Sequence, residues 1–340
     1  MVSVALLSKW HVHADDYARE AKSNPSLSIQ RVWDEDPSRG EKWAQELGVR
    51  FEKELEAVLQ DPGIDAVIVN TPTNLHKEVI MAAVAHKKHV FTEKVLALTT
   101  ADCEEIYEAV AKAGVKLTVS LPRLTTNYYL YAQHALDQGW LGELTSIRCR
   151  LAHNGAVPES GNVNGWLPPH FYNKEQCGGG ALIDLGAHPI YLTNRLAGPA
   201  KAVTSIFQQS NERNVEESAM VLVEYESGAL GTVETGFLSY GSPFQLEVYG
   251  TKGALLIEEN EIRLTSRQLD QEGWATPQQL PEALPMPMEQ WAESILNGGE
   301  TTITKEDVCS LTLINEAAAR SNAEGRKVSI SEVKEVLLNQ

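Results

Sequence analysis

The sequence predicts an α/β protein. An N-terminal doubly wound parallel sheet is followed by a second α/β domain on an open, mainly antiparallel sheet. Three observations predict this. Short apolar runs alternate with helical periodicity through the first third of the chain. Closely spaced strand patterns with turn signals dominate after residue 200. At 340 residues the chain suits two ordinary cores better than one. The expected domains are 1–122 and 123–340, with a helix over 305–324 as a candidate to pack back on the first domain.

The elements follow in order. Residues 2–7 form an apolar run suited to a strand buried on both faces. Helical character over 15–23 stops at Asn24-Pro25. A second strand, 28–33, ends at Asp34, and a helix over 38–47 closes at Gly48. A short helix covers 55–60, and a strand covers 66–70. A helix over 75–86 leads to a strand at 89–92. A helix over 100–113, closed by Gly114, leads to a strand at 116–120. Strand–helix alternation implies a parallel sheet with ligands at the carboxyl ends of its strands. Beyond it, 127–138 reads as a helix and 144–152 as a strand. Strands are expected at 202–209, 217–226, 230–238, 245–250 and 254–258. Residues 266–288 read as irregular, followed by helices over 288–296 and 305–324.

Composition excludes several classes. Lys+Arg 29 against Asp+Glu 46 leaves a net charge of −17, which disfavours nucleic acid and anionic membranes. No apolar run approaches the ~18 residues of a membrane span. Cys103, Cys149, Cys177 and Cys309 are scattered and read as free thiols in a reducing compartment. The first strand begins at Val2, which leaves no room for a signal peptide, so a cytoplasmic location is expected.

One stretch carries most of the chemistry: Gly178-Gly179-Gly180, then an apolar run containing Asp184, Gly186 and His188. Three glycines suit a tight turn or a close approach to a ligand. Read as a helix, the run places Asp184 and His188 four apart on one face. A carboxylate beside an imidazole holds its tautomer, as a general base requires. Pro189 then kinks this helix or marks its first turn. The bland alternative is a buried helix with a satisfied core histidine.

In the first domain, Asp34 ends the second strand. An acid there bonds the adenosine ribose of a dinucleotide and repels a 2′-phosphate, so NAD is expected over NADP. The turn after the first strand should be glycine-rich. Here it is Ser8-Lys9-Trp10-His11-Val12-His13, with no glycine. Ser8, Trp10 and His11 are nevertheless candidate cofactor contacts at the following helix N-terminus. His11 and His13 could share an ion, but the sequence shows no third ligand nearby, so no metal is expected. Asn70-Thr71-Pro72 with His76, and Glu93-Lys94, follow later strands and face the same cleft.

Together these pieces resemble the Gfo/Idh/MocA family (glucose–fructose oxidoreductase, inositol dehydrogenase, rhizopine catabolism). The resemblance spans nearly the whole chain. Thr71-Pro72 with His76 is similar to the family's T-P-x-x-x-H element. Glu93-Lys94-Val95 is similar to its E-K-P element, and Gly178 to His188 to G-G-G-x-x-x-D-x-G-x-H. Arg123 falls where the family often carries an arginine. The resemblance implies an N-terminal Rossmann domain, NAD(P), and oxidation or reduction of a sugar, sugar derivative or cyclitol. It implies a catalytic Lys94 working with Asp184 and His188. The missing glycines and Val95 depart from the pattern.

The loop over 153–172 is long, and long loops in compact domains are usually binding elements. Asn154, Trp166, His170 and Tyr172 are candidate sugar contacts. A broad sheet covered by helices on one face needs burial of the other, so a homodimer or homotetramer through the C-terminal sheet is expected. Two other functions fit the same residues. One is redox-assisted glycoside cleavage with no net NAD consumption, and the other is a catalytically silent sugar-binding protein.

Overall fold

Fourteen strands and eleven α-helices follow one another in the computed structural model, which describes residues 1–159, 161–210, 213–270 and 273–338. In chain order the first elements are β1 (Val2–Leu7), α1 (Ala14–Ser23), β2 (Leu27–Trp33), α2 (Pro37–Leu47), β3 (Arg50–Phe51) and α3 (Leu55–Gln60). Then come β4 (Ala66–Val69), α4 (His76–Ala85), β5 (His89–Thr92), α5 (Thr100–Ala113) and β6 (Leu117–Val119). Next are α6 (Asn127–Asp137), β7 (Leu144–Ala152), α7 (Lys174–Cys177), α8 (Ala187–Ala197), β8 (Ala200–Gln208), β9 (Ser218–Tyr225) and β10 (Leu230–Gly236). The chain ends with β11 (Gln245–Gly250), β12 (Gly253–Glu258), β13 (Glu261–Ser266), α9 (Pro287–Asn297), α10 (Lys305–Glu324), β14 (Val328–Ser329) and α11 (Ile330–Leu338).

Two units divide the chain: Met1–Pro122 with Pro285–Val308, and Arg123–Leu284 with Cys309–Gln340. In the first, six parallel strands run in the order β3-β2-β1-β4-β5-β6. The order reverses direction beside β1, so the carboxyl ends of β1 and β4 flank a crevice. All four residues of β4 are buried, as a strand covered on both faces requires. Val4 and Leu6 of β1, Tyr17 and Ala18 of α1, Trp43 of α2 and Phe91 of β5 share one core. Met288, Trp291 and Ala292 join that core from α9, their i, i+3, i+4 spacing forming a single stripe. Trp291 meets Phe91 with ring centroids 5.7 Å apart. The sequence alone places 288–296 in the domain 123–340; in the structure this helix completes the core of the first unit.

In the second unit eight strands run in the order β13-β12-β11-β7-β10-β9-β8-β14. All pairs are antiparallel except β7 with β10. Odd positions of β9 (Ala219, Val221, Val223, Tyr225) point into the core, and α8 packs on β7 and β10. Sequence reading missed β13, β14 and α11. The first two are short or lie beside a polar segment, and periodicity is weak over so few residues.

Candidate active site

In the first unit the register of the sheet assembles the candidate residues. Leu7 pairs with Trp33 on one side and Val69 on the other, and Val69 pairs with Thr92. Ser8, Asp34, Asn70 and Glu93, one position further along each strand, therefore share the carboxyl edge, where open α/β sheets take ligands.

Asp34 is buried and heavily engaged. Its carboxylate accepts from the backbone N–H groups of Lys9 and Asp36, each at 2.8 Å. The Arg39 guanidinium adds bonds of 2.6 and 3.0 Å. Arg39 stands in the first turn of α2, whose N-cap Asp36 accepts from the Ser38 and Arg39 N–H groups. Gly40 allows the close approach, since a Cβ there would lie 2.6 Å from the Asp34 Cβ. Burial alone would lower the Arg39 guanidinium, but Asp34 and Glu35 more than offset it, so it is held above its ordinary range. Sequence reading found Asp34 and overlooked Arg39, although a basic residue one helical turn past an Asp-Pro start was a readable signal.

The glycine-free turn is filled by its own side chains. Trp10 and His11 are buried, and the Ser8 hydroxyl accepts from the Trp10 N–H at 3.0 Å and from Arg39 at 3.3 Å. At the end of β4, Asn70 and Thr71 are buried, and Asn70 Oδ1 and Nδ2 and Thr71 Oγ1 meet no hydrogen-bond partner among the described residues. Buried polar groups normally have partners. Orphaned ones at this edge, beside an acid that ends β2, fit a dinucleotide. Pro72 opens a 3₁₀ turn, Thr73–Leu75, that leads into α4. His76 is a strut: its ring nitrogens lie 2.8 Å from the Val95 carbonyl and 3.1 Å from the Thr71 carbonyl. Burial holds that imidazole below its ordinary value, against the opposing pull of Val95.

Glu93 and Lys94, after β5, are buried. Glu93 Oε2 accepts from the Tyr17 hydroxyl and lies 3.3 Å from His13 Nδ1 and 4.0 Å from His11 Nδ1. Burial would raise the Glu93 carboxyl, but the two imidazoles and then Lys94 outweigh it, so it falls well below the carboxylate range. The sequence held no sign that Glu93, 80 residues along, joins His13.

In the second unit the glycine stretch departs from the expected helix. Residues 181–186 are turns, and α8 begins only at Ala187. Asp184 and His188 therefore do not share a regular helical face; Asp184 stands in the turn and His188 in the first turn of α8. Gly186 is the N-cap, and a Cβ there would meet the Leu182 carbonyl at 2.5 Å. Pro189 sits in the first turn, where its missing N–H costs nothing. Gly180 makes room for a neighbour in the chain, and Gly178 caps α7. Gly180 and Leu182 donate to Glu216 Oε1 at 2.9 and 3.0 Å, and a Gly180 Cβ would lie 2.1 Å from the Glu216 carbonyl. Burial pushes the Glu216 carboxyl up.

His188 is half-buried, and its Nδ1 lies 2.7 Å from the hydroxyl of Tyr191, which is wholly buried. The Arg123 backbone N–H donates to the same hydroxyl at 3.3 Å. Burial holds that phenol far above its ordinary range, so it stays protonated. The Arg123 side chain itself donates to the Tyr128 hydroxyl at 2.9 Å and covers the Phe244 ring at 4.8 Å. Tyr191 escaped sequence reading, although three residues after His188 on one helix it was findable.

The long loop brings some candidates together. Trp166 packs on His153 with ring centroids 4.7 Å apart, and its Nε1 lies 3.4 Å from Asn154 Oδ1. Tyr172 donates to the Asn164 carbonyl at 3.0 Å, under the Arg213 guanidinium at 4.1 Å. His170 lies in a 3₁₀ turn, Pro169–Tyr172, with its ring 5.1 Å from Phe171.

Known proteins resemble both halves of this arrangement. A family model described as an oxidoreductase family with an NAD-binding Rossmann fold matches residues 10–121. A second, the GFO/IDH/MocA C-terminal domain, matches residues 129–256. A scyllo-inositol 2-dehydrogenase (NAD⁺) of Bacillus subtilis (strain 168) is 28% identical over 323 residues, covering 91% of this chain and 90% of that protein. A myo-inositol 2-dehydrogenase of Thermotoga maritima is 25% identical over 333 residues, covering 93% and 95%. A solved levoglucosan dehydrogenase in complex with NADH and L-sorbose has the same fold, with a TM-score of 0.85 at 21% identity over 98% of this chain and all (100%) of that one. The chain therefore belongs to the GFO/IDH/MocA oxidoreductases, and its residues 10–121 are that family's NAD-binding Rossmann fold.

Proposed function

We propose that this oxidoreductase is an NAD-dependent dehydrogenase acting on a CH–OH group of a cyclitol, sugar or sugar derivative. The observation that carries the reading is His188 anchored on Tyr191. In the tautomer whose Nδ1–H donates to the Tyr191 oxygen, Nε2 is the nitrogen that takes a proton, and the same bond steadies the imidazolium that results. His188 takes the substrate hydroxyl proton. Asp184, in the preceding turn, orients the substrate. Lys94 donates a hydrogen bond to the reacting oxygen and stabilises its developing alkoxide charge. When bound, nicotinamide supplies the hydride acceptor. Asp34 and the unpartnered groups of Asn70 and Thr71 hold the nucleotide, and Asp34 supports NAD over NADP by repelling a 2′-phosphate. Asn154 and Trp166 offer an amide and an aromatic face to substrate hydroxyls and C–H groups. The two inositol dehydrogenases support a cyclitol or sugar over glycoside cleavage or a silent binder.

Purified protein with NAD⁺ and a panel of inositols and sugars tests the proposal, read by absorbance of reduced nicotinamide. Turnover with at least one polyol is expected. Absence of turnover across the panel, or full turnover in both Lys94→Ala and His188→Ala, overturns it.

The protein is further proposed to work as a homodimer or homotetramer in the cytoplasm. Ile206, Met220, Leu222 and Leu230 are exposed on the outer face of the eight-stranded sheet, with Ile206 directly opposite Met220. Such a patch is what a second copy would cover. All four cysteines are free and buried, as suits a reducing compartment. No helix among the described residues is long and apolar enough to cross a membrane.

A further inference from the structure

We propose that His11, His13 and Glu93 form a binding site for a divalent transition-metal cation of the Zn²⁺ class. The three residues each offer one ligand atom, and these atoms lie within 4.8 Å of one another. Sheet register brings them together. His11 and His13 lie in the turn from β1 to α1, and Glu93 follows β5. β4 separates the two strands, and matched pairing rows place both carboxyl ends at one level.

Donor chemistry selects the ion. Two imidazoles and one carboxylate suit zinc and its neighbours, whereas magnesium and calcium prefer all-oxygen shells. Ligand atoms about 2.0–2.2 Å from a tetrahedral ion stand about 3.3–3.6 Å from each other. His13 Nδ1 and Glu93 Oε2 are already 3.3 Å apart, and His11 Nδ1 is 4.0 Å from the same oxygen. Metal binding would turn the two imidazoles, the His11 Nδ1 giving up the His13 N–H it accepts at 3.2 Å. Outer support is present as well. The Tyr17 hydroxyl donates to Glu93 Oε2 and fixes the carboxylate, and the Tyr17 ring meets His13 edge-on at 6.2 Å. His11 and Glu93 are buried, while the His13 side chain is 41% exposed and gives the ion a way in from solvent. Three protein ligands leave a position for water or a ligand oxygen. This site depends on neither the dehydrogenase reading nor its substrate.

Full-length protein stripped with a chelator and desalted, with no NAD present, is titrated with Zn²⁺ by calorimetry and with Co²⁺ by visible absorption. One equivalent of Zn²⁺ binds, and Co²⁺ develops the intense d–d bands of a four-coordinate nitrogen–oxygen site. His13→Ala is the primary variant because its half-exposed side chain can be removed without opening the core. It weakens Zn²⁺ binding at least about tenfold, since loss of an outer-shell partner alone costs that much. His11→Ala does the same, and circular dichroism confirms that both variants are folded. His86→Ala, an imidazole bonded to the Ala82 carbonyl at the end of α4, binds as wild type does. No saturable Zn²⁺ binding by the wild type, or unchanged affinity in folded His13→Ala, overturns the site.

Discussion

The imidazole of His188 meets the hydroxyl of Tyr191 at 2.7 Å, one helical turn further along α8. Tyr191 is itself pinned by the backbone N–H of Arg123, so the imidazole is held at Nδ1 by a buried group. Tyr191→Phe keeps the ring and removes this anchor. The expected result is a loss of about tenfold in kcat, matching ~1–2 kcal/mol for a buried hydrogen bond. KM should change little, because the anchor acts on the imidazole and not on substrate binding. An unchanged kcat would assign Tyr191 to packing alone.

Lys94 and His188 are expected to act in one step. Alanine at either position should lower kcat by about 10²–10⁴-fold. Because residues acting as a unit are non-additive, Lys94→Ala/His188→Ala should be little slower than the worse single variant. Steady-state kinetics of all three variants checks this. Fully multiplicative losses would place the residues in separate steps.

The pairing of Asp34 with Arg39 makes a specific cofactor prediction. Asp34→Ala removes the charge that repels a 2′-phosphate and releases a guanidinium at the same spot. The ratio of NADP⁺ to NAD⁺ affinity should rise at least about tenfold, or ~1.4 kcal/mol. Arg39→Ala in the same background should reverse the gain. Fluorescence titration with NADH and NADPH measures both.

Glu234 on β10 binds Arg148 at 2.6 Å and Arg150 at 3.1 Å across the sheet face. The Arg148 hydrogen bond, opposed by burial and helped by Arg150, lowers its carboxyl. A depressed acid stabilises the fold above its unfolded value of about 4.3, and this contribution is lost as pH falls through the lower folded value. Glu234→Gln should therefore cost about 1 kcal/mol at pH 7, discounted for partial exposure. Thermal melts across pH should show the wild type's advantage shrinking below about pH 4. An advantage that persists at the most acid pH would contradict the assignment.

Ile206 and Met220 face each other on adjacent strands and are 74% and 60% exposed. Glutamate at Met220 puts a charge into any interface that covers them. Light scattering should then show a smaller particle than wild type at equal concentration, with unchanged circular dichroism. Equal masses would remove this face from the assembly.

Much of this protein was legible locally. The bounds of β1, β5, α5, β7 and α10 follow from apolar period, caps and turn residues, because each element buries its own face and announces it. Asp34, Asn70, Thr71, Glu93 and Lys94 were legible as strand-end residues, since a parallel sheet sends its ligand-facing groups to one edge. The glycine stretch was legible as special but misread in shape. Gly180 is required by the Glu216 carbonyl, a contact 36 residues away that leaves no local periodicity.

By itself, then, the sequence determined the order of the main strands and helices and offered candidate side chains for the site. Only the tertiary structure decided which of them meet: Arg39 on Asp34, Tyr191 behind His188, Glu93 between His11 and His13, and α9 in the first core. The reason is physical. Helix and strand formation respond to neighbours a few positions apart, whereas these pairings are set by sheet order and register, whose cost and gain are spread over the whole fold.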